Sequence, residues 1–404
     1  MPDTQPSTAA PFVEWVEHGQ VQRARWRSER ESPPPKRVVC VDDTTPADTA
    51  YRQACEGTAL LWRGDFQNAR HLLDALVRRV DRVPSPQTRK ARKSAAAPAP
   101  DRPELPGAAF HRHRQAQGQR ARVLSQLLIP LERDRTIALR RAPDLRPACE
   151  QAWGPPDGQP CVAALRELLG LVSAFEWRKK GVPVPALGPA PDNRIHPHYG
   201  VFSPVRGEYL ELVAQAALPG DTQEAFDVGT GTGVLAALLA RRGVPRVVAT
   251  DLDPRALACA ADNLQRLGLA DRVQLLAADL FPPGPDARAA LVVCNPPWLP
   301  ARPGAPLERA VYDEDSRMLR GFLTGLREHL RPGGEGWLIL SDLAERLGLR
   351  TRAELLGWVG AAGLQVLGRA DTRPTHRKAA DAQDPLHAAR AAEVTSLWRL
   401  GISA

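Results

Sequence analysis

The 404-residue sequence contains no apolar run that approaches the roughly 18–20 residues of a membrane-spanning helix. Its first residues, MPDTQPSTAAPFVEWVE, lack the basic stretch and the apolar core of a secretory signal peptide. Both absences argue against a protein that is inserted into a membrane or exported. We therefore expect a cytoplasmic protein with no membrane partner.

Cysteine is scarce and its positions show no pattern. No two cysteines have CxxC spacing, so the sequence indicates neither a zinc site nor a disulfide framework. We expect reduced thiols, as in cytosolic proteins generally, and no bound metal. The six positions are Cys40, Cys55, Cys149, Cys161, Cys259 and Cys294.

Charge is unevenly distributed along the chain. Residues 1–180 contain 30 Lys and Arg against 21 Asp and Glu, a net charge of +9, whereas the remainder has a net charge of −1. A basic half joined to a nearly neutral half indicates a polyanionic partner, most often RNA or DNA. The alternative is that this Arg-, Ala- and Pro-rich chain simply uses arginine as its surface residue.

Composition divides the chain into two parts. Residues 1–190 are predicted to form a basic, mainly helical region of unknown fold that recruits the substrate. A linker rich in proline and alanine lies at about 81–108, and a Pro-rich hinge at 182–192 marks the domain boundary. Helical periodicity is found within residues 36–80, after a short strand-like run, and within residues 110–142 and 161–181.

Residues 191–404 show strand-like runs that alternate with helical runs at the spacing of βαβ units. This pattern predicts a Rossmann-like α/β domain with a seven-stranded, mostly parallel, doubly wound sheet. Ligands of such sheets bind beyond the carboxyl ends of the strands. The predicted helices lie around residues 233–242, 254–267 and 317–331. The predicted strands are Ala225–Val228, Arg246–Asp251, Val273–Ala277, Ala290–Cys294, Gly336–Ser341, Leu364–Gly368 and Val394–Leu400.

A glycine-rich turn, DVGTGTG, follows the first strand of this domain. Its glycines, Gly229, Gly231 and Gly233, allow the backbone to approach a ligand closely, and the next helix offers free N–H groups. The spacing is GxGxG, which differs from the GxGxxG fingerprint of dinucleotide-binding folds. The turn alone is weak evidence, because many α/β folds contain one.

Carboxylates end the next two strands. Asp251 closes the second strand in VVATDLDP, where it can accept hydrogen bonds from both hydroxyls of a ribose. Asp279 closes the third strand in LLAADLF, where it can accept from an adenine amino group. Either acid alone could be a helix cap, and Asp253 before Pro254 is predicted to be one. Three polar sites at three consecutive strand ends favour a cofactor site.

The fourth strand ends abruptly in LVVCNPPWLP. Proline has no N–H to donate to a sheet, so the strand stops at Asn295 and continues as a rigid loop with an exposed indole, Trp298. The simplest alternative is a stiff loop that carries a partly buried Trp. Its position after a cofactor loop, at the end of the fourth strand, favours a catalytic role.

The segments DVGTGTG, ATDLDPRAL, AADLF and NPPW follow each other as in class I S-adenosylmethionine-dependent methyltransferases. More narrowly, they resemble the small-domain and glutamine N-methyltransferases, over about residues 195–400. The resemblance implies S-adenosyl-L-methionine as cofactor, with Asp227 and the glycines beside its methionine part, Asp251 on the ribose and Asp279 on the adenine. The implied cofactor-binding residues are Asp227, Gly229, Thr230, Gly231, Gly233, Asp251, Leu252, Asp279, Leu280 and Asn295. The implied catalytic residues are Asn295, Pro296, Pro297 and Trp298.

Methyl transfer to a planar nitrogen explains the residue types of this tetrapeptide. The lone pair of such a nitrogen is delocalised, so the nitrogen is a poor nucleophile until its hydrogens are held in place. The side-chain oxygen of Asn295 and the carbonyl of Pro296 can accept those hydrogens and stabilise the charge that develops. The following proline fixes the carbonyl direction, and Trp298 offers a face for stacking.

The sequence leaves two macromolecules as candidates for the methyl acceptor, RNA and protein. An exocyclic amino group of a base in RNA, with ribosomal RNA favoured, fits the basic N-terminal half, and HYGVFS (198–203) resembles a segment of enzymes that methylate ribosomal RNA guanine. A protein glutamine N5 nitrogen, in a translation factor or ribosomal protein, fits the long loop at 301–319, which glutamine enzymes share. A basic stretch at 371–390 could receive a phosphate or be a solvated loop. A non-catalytic RNA-binding protein that retains the fold is the alternative of another class.

Overall fold

The computed structural model describes residues 11–82, 106–205, 207–304, 306–374, 381 and 384–403. The chain divides into two compact units. The first comprises residues 1–104 and 112–175, and the second comprises residues 105–111 and 176–404. The core of the predicted linker, residues 83–105, lies outside the described residues.

The first unit is organised by a six-stranded mixed sheet. Its strand order is β1-β2-β6-β5-β4-β3, in which β3, β4 and β5 run parallel and the other neighbours are antiparallel except β2 with β6. The strands are β1 (Phe12–Glu17), β2 (Gln20–Arg27), β3 (Val38–Val41), β4 (Ala59–Trp62), β5 (Leu127–Leu131) and β6 (Cys161–Ala164). The helices that begin in this part of the chain are α1 (Ala47–Cys55), α2 (Phe66–Arg82), α3 (Ala108–Leu124), α4 (Arg146–Trp153) and α5 (Leu165–Lys180).

Helices hold more of the described residues here than strands do, in line with the prediction, but the sheet was not predicted. The segment 110–142 was expected to be one helix, yet α3 ends at Leu124 and β5 follows. The segment 161–181 was also expected to be helical, yet its first four residues form β6. Apolar runs of four or five residues have no measurable period, so a short buried strand beside a helix cannot be distinguished from another helical turn.

A buried carboxylate joins two loops of the first unit. Asp65, directly before α2, accepts hydrogen bonds from the Nε atoms of Arg140 and Arg141 at 2.9 and 2.7 Å, and from the backbone N–H of Gln67 at 2.9 Å. The hydrogen bond from Arg141 is the main cause that holds the pKa of Asp65 well below its usual range. The carboxylate therefore stays charged and ties the Arg140–Arg141 turn to the start of α2.

The second unit contains a short antiparallel pair, β7 (Val182–Pro183) and β8 (Arg194–Ile195), and the predicted seven-stranded sheet. The strand order is β11-β10-β9-β12-β13-β15-β14, and every neighbouring pair is parallel except those that involve β15. In order of sequence within the sheet this is 3-2-1-4-5-7-6. The strands are β9 (Glu224–Val228), β10 (Arg246–Asp251), β11 (Val273–Ala277), β12 (Ala289–Cys294), β13 (Leu330–Ser341), β14 (Leu364–Thr372) and β15 (Thr395–Ile402).

The helices predicted for this unit are also confirmed. The chain forms α6 (Glu208–Gln215), α7 (Val234–Arg241), α8 (Pro254–Arg266), α9 (Arg317–His329), α10 (Leu343–Arg346), α11 (Arg352–Ala361) and α12 (His387–Ala391). Asp253 caps α8 as expected, with its side chain accepting from the backbone N–H of Arg255. Because helices cover both faces of the sheet, β12 is buried along its whole length and reads as an unbroken apolar run.

The Pro-rich segment 182–192 does not separate the two units. Its residues lie inside the second unit, where Val184 and Leu187 are buried against Leu238 and its neighbours in one apolar cluster. Arg241 donates to the carbonyl of Leu187 at 2.8 Å. The predicted boundary at residue 190 thus falls within the second unit, because prolines in an extended segment can pack as well as they can link.

Within the described residues, no helix is both long enough and apolar enough to cross a membrane. All six cysteines lie in the described part of the chain, and all are free thiols.

We expect Leu61→Ala to lower the free energy of unfolding of the first unit by about 2–5 kcal/mol, because Leu61 on β4 is fully buried. The control is Val21→Ala on β2, where the side chain is 72% exposed, and this variant should change stability by less than about 0.5 kcal/mol. Urea denaturation of both variants measures the difference. Equal effects would contradict the sheet described for this unit.

Candidate active site

The glycine-rich turn after β9 is held by the buried side chain of Asp227. One carboxylate oxygen, Oδ2, accepts from the Thr230 hydroxyl at 2.7 Å and from the backbone N–H of Ala236 at 3.0 Å. Gly229, Gly231 and Gly233 all have positive φ angles, of 75°, 56° and 79°. Only glycine adopts these angles without strain, so the sequence of the turn and its shape depend on each other.

The second oxygen of Asp227, Oδ1, is buried and has no hydrogen-bond partner among the described residues. The side chain is 0% exposed, and burial raises the pKa of Asp227 to about 6. Buried polar atoms are rarely left unpaired in folded proteins. An unpaired acceptor beside a glycine-rich turn fits a ligand that brings a donor or a positive charge, such as the ammonium of a methionine moiety.

Asp251, at the end of β10, holds the same turn from its other side. Its Oδ2 accepts from the backbone N–H of Gly231 at 3.0 Å, and its Oδ1 accepts from the N–H of Asp253 at 2.9 Å. Burial raises the pKa of Asp251 despite these two bonds. Each oxygen keeps a further lone pair, so the ribose role implied by the sequence is compatible with the geometry. The neighbouring Leu252 is 66% exposed and offers an apolar surface there.

The loop after β11 carries the expected adenine-side residues. Leu280 has a positive φ of 76°, an uncommon conformation for a leucine. Its carbonyl accepts from the Thr250 hydroxyl, which fixes the loop to β10. Asp279 is half-exposed, and one of its oxygens accepts from Arg317 at 2.6 Å, at the start of α9. Its other oxygen has room for a further donor.

The NPPW segment follows β12 directly, between the ends of β9 and β13. Pro296 is buried, and Asn295, Pro297 and Trp298 are partly buried. The Trp298 indole Nε1 donates to the Asn295 side-chain oxygen at 2.9 Å. The indole is therefore less exposed than expected, because it packs partly against both apolar clusters of the unit and turns its N–H toward the amide.

Tyr209 on α6 is a site residue that sequence reasoning missed. The residue is buried, and its phenol lies near the Asn295 side chain and the Asp227 carboxylate. Burial raises the pKa of Tyr209, and the nearby charge of Asp227 acts in the same direction, so the phenol remains neutral. Asn295 thus has the Tyr209 phenol as a polar neighbour, in addition to the Trp298 indole that bonds its oxygen. A tyrosine within an apolar helix gives no sequence signal of this contact.

The loop that follows Trp298 is closed at its base. Residues 299–312 form an acceptor-side loop whose ends meet in a parallel bridge between Leu299 and Tyr312. The next residue, Asp313, accepts from the backbone N–H groups of Met318 and Leu319 at 2.9 and 3.1 Å. These bonds cap α9, and the Met318 side chain then lies against the Cα of Gly229. The loop is thereby anchored to the glycine-rich turn.

All four expected strand-end positions meet at one edge of the sheet. β11, β10, β9 and β12 are adjacent and parallel, so Asp279, Asp251, Asp227 and Asn295 lie at their carboxyl ends. The edge combines a ligand-facing glycine turn, buried carboxylates and a positioned amide. Their individual roles toward a cofactor or acceptor stay predictions. Among the described residues no group of His, Cys, Asp and Glu is arranged to hold a metal ion.

Known proteins match the second unit. A family model described as the methyltransferase small domain matches residues 192–347. The release factor glutamine methyltransferase of Cereibacter sphaeroides is 35% identical over 175 residues, which are 40% of this chain and 61% of that protein. The tRNA1(Val) (adenine(37)-N6)-methyltransferase of Bacteroides thetaiotaomicron is 30% identical over 142 residues, which are 34% of this chain and 59% of that protein.

The chain thus spans about three fifths of the length of these curated relatives. A solved structure of a SAM-dependent methyltransferase from Geobacter sulfurreducens, in complex with S-adenosyl-L-homocysteine, is 20% identical with a TM-score of 0.30. The match covers 46% of this chain and 86% of that one.

The strand order, the glycine-rich turn with its buried acid and the matching family model define the class of the second unit. Its fold is that of the class I S-adenosylmethionine-dependent methyltransferases. Within this fold, residues 192–347 match the model of the methyltransferase small domain.

The raised pKa of Asp227 predicts a specific dependence of stability on pH. The folded protein retains this proton up to a pH of about 6, whereas the unfolded chain loses it near 3.8, so folding becomes less favourable as pH rises between these values. We expect Asp227→Asn to be more stable than the wild type at pH 8 by up to about 3 kcal/mol. The difference should shrink toward pH 4. Melting temperatures across this range that run parallel would contradict the assignment.

We expect Tyr209→Phe to lower kcat for methyl transfer by about 10- to 100-fold, because Asn295 loses a polar neighbour that helps to orient its amide. The dissociation constant of S-adenosylmethionine should stay within about threefold, because no hydrogen bond joins the hydroxyl to a cofactor-loop residue in the described part of the chain. Tyr51→Phe, in the first unit, is the control for loss of a phenolic hydroxyl elsewhere. A change in cofactor affinity as large as that in kcat would show a general structural defect instead.

Proposed function

We propose that this protein transfers a methyl group from S-adenosylmethionine to a planar amide or amino nitrogen of a macromolecule. The observation that carries the proposal is the positioned amide of Asn295, held by the Trp298 indole at the end of β12 and near the glycine-rich turn. When bound, the cofactor supplies an electrophilic methyl group on a sulfonium.

The protein's own contribution is positioning and electrostatics. The Asn295 oxygen keeps a second lone pair beside the one used by Trp298, so it can accept a hydrogen from the acceptor nitrogen. The Pro296 carbonyl is proposed to accept the other hydrogen, and the Trp298 ring to stack against the planar group. These contacts turn the lone pair of the nitrogen toward the methyl group, so the nitrogen needs no strong base before transfer.

Asp227, Asp251 and Asp279 are proposed to hold the cofactor. The unpaired Oδ1 of Asp227 accepts from the ammonium, Asp251 from the ribose hydroxyls, and the free oxygen of Asp279 from the adenine amino group. The leucines at 252 and 280 line the adenine ring. The half-buried site excludes part of the water that would screen these contacts.

Two acceptors remain as candidates. A glutamine amide of a translation factor or ribosomal protein is supported by the relative from Cereibacter sphaeroides, whose name states release factor glutamine methylation. A base amino group in RNA is supported by the net charge of +9 on residues 1–180 and by the relative whose name states tRNA adenine N6 methylation. A preference for ribosomal RNA stays a prediction.

The test is the transfer of tritiated methyl groups from S-adenosylmethionine into a lysate of cells that lack this protein. One half of the product is digested with ribonuclease and the other with protease. Label lost with ribonuclease identifies a base, and label lost with protease identifies a glutamine.

The control variant is Asn295→Ala, which we expect to bind the cofactor within a few-fold of the wild type but to lose most turnover, about 100-fold or more. Equal loss of binding and turnover would contradict the role of Asn295. No incorporation by a wild-type protein that binds the cofactor would reject methyl transfer to either lysate acceptor. Failure to bind S-adenosylmethionine would favour a non-catalytic RNA-binding protein that retains the fold.

A further inference from the structure

Arg350 lies at the acceptor side of the sheet, in the loop between α10 and α11 that follows β13. The same loop places Leu347 and Leu349 against an apolar cluster that contains Leu299, the first residue of the acceptor-side loop. Tyr312, at the other end of that loop, packs against this cluster as well. The position of Arg350 is therefore fixed relative to the residues that follow the NPPW segment.

Two nitrogens of the Arg350 guanidinium are buried and have no hydrogen-bond partner among the described residues. The residue is 4% exposed, and its Nε and Nη2 atoms are enclosed without a hydrogen bond to any part of the chain that the structure describes. Burial is the main cause that lowers the pKa of Arg350, but a guanidinium remains charged throughout the ordinary pH range. A buried and unpaired charge is among the least favourable features that a folded protein can contain.

The acidic side chains around Arg350 are all bonded to other groups. Glu345 accepts from the Nε of Arg352 at 2.8 and 3.0 Å. Glu354 accepts from the backbone N–H and the hydroxyl of Thr351 at 2.6 and 2.8 Å, which completes the capping box of α11. Asp313 accepts from two N–H groups of α9, as described above. These three acids attract Arg350 electrostatically, but none forms an ion pair with it.

Arg350 is therefore a buried cation whose anionic partner is absent from the described residues. Each nearby carboxylate has a structural task, so none can turn toward Arg350 without uncapping a helix or releasing Arg352. A buried charge that lacks its partner is strongly destabilising, so an unpaired Arg350 has to be offset by a benefit elsewhere. An anion from outside the described part of the chain would supply the missing partner.

We propose that Arg350 binds a phosphate of an RNA acceptor whose base is methylated at Asn295. The inference rests on the proposed function and selects RNA from its two candidate acceptors. A nucleotide always carries a phosphate attached to the sugar that bears the reacting base, whereas a glutamine side chain carries no anion. The planar guanidinium suits bidentate contact with phosphate oxygens. The basic first half of the chain is charge-complementary to the same polymer.

Because Arg350 is enclosed, neighbouring side chains must shift when an anion reaches its guanidinium. Asp313, next to the end of the acceptor-side loop, is one of the acids that attract Arg350. A phosphate that enters here satisfies the guanidinium and sets the distance between backbone and base. Base specificity then remains with Asn295 and Trp298, because phosphate contacts position a nucleic acid without reading its sequence.

The first experiment uses inorganic phosphate as the probe and requires no activity. We expect Arg350→Gln to raise the melting temperature in chloride buffer by about 2–4 °C, because the unpaired charge is removed. Phosphate at equal ionic strength should raise the melting temperature of the wild type and leave that of Arg350→Gln unchanged. Arg346→Gln, which removes an arginine paired with Asp342 on α10, is the matched control and should respond to phosphate like the wild type.

The second experiment measures methyl transfer to RNA from cells that lack the protein. Arg350→Gln should raise the KM for RNA by at least about tenfold and lower the slope of log KM against log salt by about one. The dissociation constant of S-adenosylmethionine and the value of kcat should stay within about threefold. Arg350→Lys should recover part of the loss, because it keeps the charge without the bidentate geometry. Arg346→Gln should leave both constants unchanged.

Three results would overturn the proposal. A lower melting temperature for Arg350→Gln, with no phosphate response in the wild type, would make Arg350 a structural cation. An unchanged KM for RNA in Arg350→Gln would show that the anion bound by Arg350 is not part of the acceptor. Label that is lost only with protease would assign the acceptor to a protein. Absence of any transfer by the wild type would instead reject the proposed function, and a persisting phosphate response would then leave Arg350 as an anion site of another kind.

Discussion

The buried carboxylate of Asp227 is the constraint on which the active-site edge depends. One of its oxygens accepts from Thr230 and Ala236, and these bonds give the glycine-rich turn its shape before α7 begins. Asp251 accepts from the N–H of Gly231 on the opposite side of the turn. Two acids at the ends of neighbouring strands thus hold one loop. Their burial raises both pKa values, which is tolerable because each carboxylate receives backbone N–H groups.

The same turn also connects the cofactor side with the acceptor side. Met318 lies against Gly229, and its backbone N–H is bound by Asp313 at the base of the acceptor-side loop. A Cβ atom at position 229 would meet the terminal methyl group of Met318, which can move aside, so it is the positive φ angle that requires glycine there. The base of the loop after Trp298 and the glycine-rich turn are thus in contact through Met318.

Sequence reasoning predicted the second unit well and the first unit poorly, for one physical reason. Four of the six connections between successive strands of the second unit's sheet contain a helix of eight or more residues, which is long enough for its periodicity to be recognised. β4, β5 and β6 of the first unit contain four buried residues each and lie close to helices in the sequence. Strand-end positions such as Asp227, Asp251 and Asn295 are local in sequence, and the sequence placed them correctly at one edge. Tyr209 and Arg350 depend on tertiary contacts, which no local pattern records.

The fourth residue of the NPPW segment shows how the site remains stable without an acceptor. A half-buried amide oxygen that awaits a substrate hydrogen would lose its hydration and gain nothing in the free protein. The Trp298 indole N–H donates a hydrogen bond to that oxygen. A Phe ring in the same place could not do so, because it has no N–H group. Because one lone pair remains, the stabilising bond need not be broken when an acceptor arrives. In the proposed reaction, the amide of Asn295 is therefore already oriented before an acceptor arrives.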